Sequence, residues 1–310
     1  PVRDRFRAAR IGRRGRSRRV RRADVSTVTS PVDAMGTIAD AVAGGELPGR
    51  VWLYSNYHCN LACSYCLTES SPRSDRRQLT PELMLAVAGE ARELGFTGLG
   101  VTGGEPMLLP WLPDTVAAMA DRLPVVVLTN GTLFPGERTE RARPLARDGV
   151  AVQISLDSHL PAVNDMARGP DNFAKVVAAV PRLLALGVRV RIATTTAGPF
   201  DDPALDPLRE LVVSLGVLPE DHLIRPIVRR GRADERGLGV TAVVRDIPSE
   251  LTIAADGAFW GSFGPTVRAG RLDTDLLLTR TVLPLSIPAN ALLSAVRGLP
   301  PGGDADLGIR

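Results

Sequence analysis

Cys59, Cys63 and Cys66 are the only cysteines among 310 residues, and they fall within one stretch of eight. An odd, clustered set cannot build a disulfide framework. It points to a metal site in a reducing compartment. The spacing C-x3-C-x2-C places three thiolates on one short loop. Three thiolates can hold three irons of a cubane cluster, which ordinarily takes four cysteines. The fourth iron is then open to chelation by a small molecule. Zinc is a competing reading, but it needs four ligands, commonly paired as C-x2-C. His58 adjoins Cys59, and sequence neighbours rarely reach one ion together. Three buried structural thiols without metal are a third reading.

Other polar clusters follow at the ends of apolar runs. Gly103-Gly104-Glu105-Pro106 comes about 40 residues after the cysteines, and its glycines let backbone approach a neighbour or ligand closely. Alone it reads equally well as an ordinary turn. Leu128-Thr129-Asn130-Gly131-Thr132 reads as an Asn-Gly turn or a ligand contact. In Gln153-Ile154-Ser155-Leu156-Asp157, strand alternation puts Gln153, Ser155 and Asp157 on one face. Polar side chains turned inward at a strand's C-terminal end are poor core but good ligand contacts. Arg168, in Ala-Arg-Gly-Pro, is a surface arginine or an anion partner. Thr194-Thr195-Thr196 closes a further strand.

In this order, these stretches resemble the motifs of the radical S-adenosylmethionine (SAM) superfamily, down to Tyr65 just before the third cysteine. The resemblance covers residues 51 to about 200. It implies one [4Fe-4S] cluster on Cys59, Cys63 and Cys66, with SAM bound at the open iron through its amino and carboxylate groups. It implies one-electron cleavage of SAM and hydrogen abstraction from a substrate by the 5′-deoxyadenosyl radical. Gly103 and Gly104 then correspond to the segment that holds the SAM amino group, and Glu105 to a residue steadying that loop or the methionyl end of SAM. Asn130 lines the SAM side of the mouth. Ser155 contacts the SAM ribose or carboxylate, with Asp157 in the same segment, and Arg168 pairs with the carboxylate. The threonines at 194–196 reach adenine or ribose.

The elements that must position these residues alternate. Val51–Asn56 reads as a strand leading into the cysteine loop. Thr80-Pro81-Glu82 opens a helix with a threonine cap, proline at the first position and an acid in the first turn. Strands are predicted at Leu99–Thr102, Val125–Thr129, Val150–Leu156, Val188–Thr194 and Leu223–Val228. Helices are predicted to about Arg122 and over roughly 137–147, 171–186 and 203–215. Strands interleaved with helices imply parallel βα units, and continuously apolar runs such as Val125–Thr129 suit strands covered on both faces. Six units are fewer than the eight of a closed barrel. The expected fold is α/β: a partial (β/α)6 TIM-like barrel over 48–230, with a small C-terminal extension over 231–310. Each loop that follows a strand sits at the mouth where such folds place active sites.

Ile224-Arg-Pro-Ile-Val-Arg-Arg-Gly-Arg-Ala233 and Leu251–Gly257 resemble the approach to the SPASM or twitch extension of peptide-modifying radical SAM maturases. There a similar "DG" hairpin leads into cysteines for auxiliary clusters. Here Ala-Phe-Trp-Gly-Ser-Phe-Gly follows, and every cysteine is already committed. Phe259, Trp260 and Phe263 either pack a hairpin or line the substrate cavity, and packing is favoured.

Residues 1–34 carry eleven arginines against Asp4, Asp24 and Asp33, leaving 27 basic against 31 acidic residues elsewhere. The basic character is therefore a property of that segment. It reads as an arginine-rich disordered arm or a mis-assigned start ahead of Met35, and neither nucleic acid nor membrane binding is expected of it. Arg13-Arg14 lacks the apolar stretch of an export signal, and no apolar run is long enough to span a membrane. A cytoplasmic enzyme is expected, with SAM and an electron donor such as flavodoxin or ferredoxin as partners. Its substrate is a peptide, or alternatively a small metabolite. A non-catalytic metal-binding protein is the reading from another class.

Overall fold

The computed structural model describes residues 31–199, 201–241, 247–262, 264–268 and 271–298. Strands and helices alternate: α1 (Pro31–Ala43), β1 (Arg50–Tyr54), α2 (Pro81–Glu93), β2 (Gly98–Thr102), α3 (Leu112–Ala120), β3 (Val125–Thr129), β4 (Val150–Ser155), α4 (Pro161–Arg168), α5 (Asn172–Ala185), β5 (Arg189–Thr196), α6 (Asp206–Ser214) and β6 (His222–Pro226). Strands β1 to β6 lie side by side in chain order, all parallel. The predicted α/β fold with six parallel units is present, and among the described residues no strand closes it into a barrel.

Beyond β6 the short α7 (Arg232–Glu235) precedes a return to the sheet. β7 (Leu251–Ala254) pairs parallel to β1, and β8 (Gly257–Trp260) runs back beside it. A small ribbon of β9 (Val267–Arg268) and β10 (Arg271–Leu272) follows. β11 (Leu277–Thr279) then pairs with β8, and α8 (Ser286–Gly298) ends the described chain. The composition changes near residue 230, but the sheet runs across that point. It grows on the free side of β1, where strand β7 is buried at every position and the Thr252 hydroxyl is bonded to the Gly261 carbonyl.

Local chemistry accounts for most elements. Thr80 caps α2 by accepting from the Leu83 amide at 3.2 Å, with Pro81 at the first helical position. The segment Gly136–Leu145, predicted as a helix over 137–147, is a 3-10 helix instead. Pro144 removes a backbone donor there, and the run offers no apolar stripe to reward α-helical packing. Helix α1 begins at Pro31, so the arginine-rich segment gives way to structure before Met35; residues 1–30 lie outside the described residues.

Trp52 of β1 is buried and its ring lies over Gly100 of β2. A Cβ at Gly100 would meet the ring at 2.2 Å. Gly100→Ala is expected to destabilise the fold by about 1–3 kcal/mol through overpacking, read as a lower urea midpoint.

His222 opens β6. Its Nε2 lies 2.8 Å from Thr194 Oγ1, whose own proton goes to the Leu156 carbonyl at 2.7 Å. The ring must therefore donate from Nε2. Burial, then Arg209, pulls its pKa from 6.5 to about 4. Above 6.5 the ring is neutral folded or unfolded. As pH falls towards 4, only the unfolded chain takes the proton, so stability is lost. The partly open ring reduces the effect to on the order of 1–2 kcal/mol. His222→Gln is expected to lose less stability than the parent between pH 7 and 5; equal loss would remove His222 as the cause.

Candidate active site

All three cysteines line one solvent-open cleft of about 1140 Å³ at the C-terminal ends of the parallel strands. Cys59 is buried, and Cys63 and Cys66 are partly exposed. Among the described residues no three His, Cys, Asp or Glu side chains converge on a single-ion point. The three thiols line one cleft, and three thiolates on one loop are the donor set that three irons of a cubane take. Burial pushes the Cys59 and Cys63 thiols up, so binding iron must displace their protons.

The loop is held from four sides. The Cys59 sulfur accepts from the Leu61 amide at 3.3 Å and from Asn130 Nδ2 at 3.8 Å. Cys63 Sγ donates to the Arg168 carbonyl at 3.7 Å, and the Ser64 amide to the Ala167 carbonyl at 2.8 Å. Cys66 Sγ lies 3.5 Å from Thr68 Oγ1, which accepts from the Tyr54 hydroxyl at 2.8 Å. Arg232 forms the fourth support. Its guanidinium donates to the carbonyls of Cys63 at 2.8 Å, Glu69 at 3.0 Å and Ser70 at 2.5 Å, and its amide to the Cys66 carbonyl at 3.0 Å. Gly231 permits the approach: φ is +57°, and a Cβ would sit 2.3 Å from the Leu67 carbonyl oxygen.

Gly103 and Gly104 line the cleft, and their missing side chains also let two loops meet. A Cβ on Gly104 would stand 2.3 Å from the His58 oxygen, and one on Gly103 2.4 Å from Asn56 Oδ1. The Gly104 amide donates to the Asn56 carbonyl at 2.7 Å, and the Glu105 amide to His58 at 3.0 Å. Glu105 is wholly buried. Its Oε1 accepts from the Met107 amide at 2.9 Å and Thr129 Oγ1 at 2.7 Å, and its Oε2 from the Asn130 amide at 2.7 Å. Burial pushes its pKa up while those three donors pull it back. Glu105 thus ties the β2 and β3 loops together, and Asn130 carries that tie to Asn60, 2.9 Å from its Nδ2, and to Cys59.

Ser155 lines the cleft at the end of β4. Asp157 stands behind the cleft surface. Its Oδ1 accepts from the Thr195 amide at 2.9 Å, and its Oδ2 accepts from the Tyr65 hydroxyl and from Arg168 Nη1 at 3.0 Å. Tyr65 and Arg168 do line the cleft. Arg168 is buried, which removes the surface-arginine reading. Sequence reading missed α4, the helix that carries it, although Pro161, Arg168 and Gly169 mark both ends. Of the three threonines, Thr195 lines the cleft, Thr194 is bonded to Leu156 and His222, and Thr196 bonds the Gly198 amide at 3.0 Å. Phe259 and Trp260 are core side chains and do not wall the cleft, while Phe263 lies outside the described residues. Arg225 and Arg232 were not singled out from sequence.

A partial parallel barrel with a three-cysteine loop at its mouth defines the class. The sequence model of the Radical SAM superfamily matches residues 53–211, and the chain belongs to that superfamily of enzymes. The superfamily uses a [4Fe-4S] cluster and SAM. The chain is 35% identical over 152 residues to mycofactocin maturase MftC of Mycobacterium ulcerans, covering 47% of this chain and 40% of that protein. It is 32% identical over 158 residues to a PqqA peptide cyclase of Streptomyces rochei, covering 50% and 42%. It is 29% identical over 158 residues to a probable GTP 3′,8-cyclase of Archaeoglobus fulgidus, covering 50% and 52%. The chain therefore spans about two-fifths to one-half of the length of these curated relatives. Streptococcus suis SuiB bound to precursor peptide SuiA has a similar fold, with TM-score 0.53 and 15% identity, covering 71% of this chain and 50% of SuiB. No described helix is long and apolar enough to cross a membrane.

Proposed function

We propose that this chain is a maturase-like radical SAM enzyme that modifies a peptide. The observation carrying this reading is the single cleft lined by all three cysteines and by the Gly103–Glu105 loop. When bound there, the cluster supplies one electron to SAM, whose cleavage yields the 5′-deoxyadenosyl radical that takes hydrogen from the substrate. Cys59, Cys63 and Cys66 would hold the cluster. Ser155, Arg168, and the backbone at Gly103 and Gly104 orient SAM. Tyr65 and Asp157 fix the Arg168 guanidinium, and Asn130 and Glu105 fix the loops. The protein's part is positioning and exclusion of water and oxygen. The electron comes from a flavodoxin- or ferredoxin-type donor.

Likeness to mycofactocin maturase and PqqA peptide cyclase supports a peptide substrate. Residues 231–310 are read as a SPASM- or twitch-like extension without auxiliary clusters. Supporting this, the Asp256 turn is tied to both flanks of the cysteine loop: Asp256 Oδ2 accepts from Tyr57 at 2.7 Å, and Oδ1 pairs with Arg77 at 2.6 Å. Likeness to a GTP 3′,8-cyclase favours a second reading, a small-metabolite substrate.

Anaerobically reconstituted protein is expected to bind about four irons per chain and to convert SAM to 5′-deoxyadenosine under dithionite. Colourless protein that binds zinc and leaves SAM intact would sink the reading. Deuterium carried from a labelled peptide into 5′-deoxyadenosine distinguishes the peptide from the metabolite.

A further inference from the structure

Arg225 lies on β6, paired in register with Thr195, and lines the cleft. Among the described residues its side chain makes no hydrogen bond and no ion pair. The ionisable groups that act on it are Tyr65, Asp157 and Arg168. Asp157 has nothing left to offer, since both of its oxygens are committed to Thr195, Tyr65 and Arg168. Arg168 adds a second unmet donor, because its Nε is buried without a partner. Glu105, a carboxylate that does line the cleft, is bound to the Met107 amide, the Thr129 hydroxyl and the Asn130 amide. Two guanidiniums therefore stand at one corner with a single carboxylate between them. Burial lowers the Arg225 pKa, yet a guanidinium keeps its proton in proteins. The charge is half-buried on the cleft wall and open to an anion that enters the cleft.

We propose that Arg225 binds a carboxylate of the substrate: in a peptide, an Asp or Glu side chain or a chain-terminal carboxylate. The planar fork of donors suits a carboxylate held by two parallel bonds. SAM has a carboxylate too, but the two arginines are placed differently. Arg168 adjoins Cys63, whose thiol donates to its carbonyl, and Cys63 is among the charges acting on it. No cysteine is among those acting on Arg225. The SAM carboxylate must reach the cluster edge, so Arg168 suits SAM and Arg225 the second ligand. Pro226, Ile227 and Val228 continue the same wall, so the carboxylate is flanked by an apolar group. This rests on the reading of the cleft as a joint site for SAM and substrate.

Reconstituted protein with SAM present provides the test, by equilibrium dialysis of acetyl-Leu-Glu-Leu-amide against acetyl-Leu-Gln-Leu-amide. The glutamate peptide is expected to bind about tenfold or more tighter, as a charged hydrogen-bonded pair allows. Arg225→Met removes that preference, Arg225→Lys keeps part of it, and the dissociation constant of SAM stays within about twofold in both. Equal affinities in the parent protein, or a preference surviving in Arg225→Met, overturn the proposal. A SAM affinity lost in Arg225→Met, with decarboxylated SAM unaffected, assigns Arg225 to SAM and also overturns it. Protein that binds no SAM at all fails the radical SAM reading instead, and the Glu-over-Gln preference is still read without SAM.

Discussion

Cys63→Ala is expected to lose the cluster and with it all SAM cleavage, while the polypeptide stays folded. The two halves of that expectation have separate grounds. Cys63 is partly exposed, and its sulfur makes one long contact, 3.7 Å to the Arg168 carbonyl. Its removal leaves no buried donor unmet, so the thermal midpoint of the apoprotein should hardly move. Loss of an outer-shell partner already costs about 10–100-fold in metal affinity, and loss of a ligand costs more. Iron content and 5′-deoxyadenosine formation should both fall to background. Cys59→Ala differs, because Cys59 is buried and accepts from Leu61 and Asn130. It should lose apoprotein stability as well. Full activity in Cys63→Ala would remove the cysteine loop from the chemistry.

The cysteine loop, the Gly103–Glu105 turn and the Thr129–Asn130 turn were legible because each follows directly on a strand. A strand ending in polar or glycine residues announces a mouth residue locally, without knowledge of its partner. The parallel order β1 to β6 was legible for the same reason, since apolar runs alternate with helical stretches. Arg225 and Arg232 were not. In sequence they belong to one basic run, Arg225 to Arg232, and nothing local separates them from Arg229 or Arg230. Their surroundings come from residues far away in the chain: Arg232 meets Cys63 across 169 positions. Asp157 illustrates the reverse limit. Alternation put it on the inward face, but Tyr65 and Arg168 stand between it and the cleft, and alternation says nothing of what covers a side chain. The return of β7 to β1 was hidden because a strand of four residues, Leu251–Ala254, carries no mark of its partner strand.

Arg232→Met is expected to weaken cluster loading and to lower the cluster's reduction potential. The side chain holds three carbonyls of the loop, at Cys63, Glu69 and Ser70, within 2.5 to 3.0 Å. Hydrogen bonds from a charged donor contribute about 1.5–3 kcal/mol each, and methionine fills the space while making none. Around Cys63 and Cys66 the loop then keeps the Arg232 amide on the Cys66 carbonyl, while Thr266 and Val267 hold only the later carbonyls of Leu67 and Thr68. The sign of the electrostatic effect follows from charge. Reduction adds an electron beside a fixed cation, which the cation favours, so removing it makes the cluster harder to reduce. Cluster potentials respond to net charge and hydrogen bonding in this way. A tenfold change in a one-electron equilibrium is about 59 mV, and a fall of that order is expected in a redox titration followed by EPR. Arg232→Lys keeps the charge without the fork, so it should restore more of the potential than of the iron content. An unchanged or higher potential in Arg232→Met, at equal iron content, would leave Arg232 a structural clamp without electrostatic influence on the cluster.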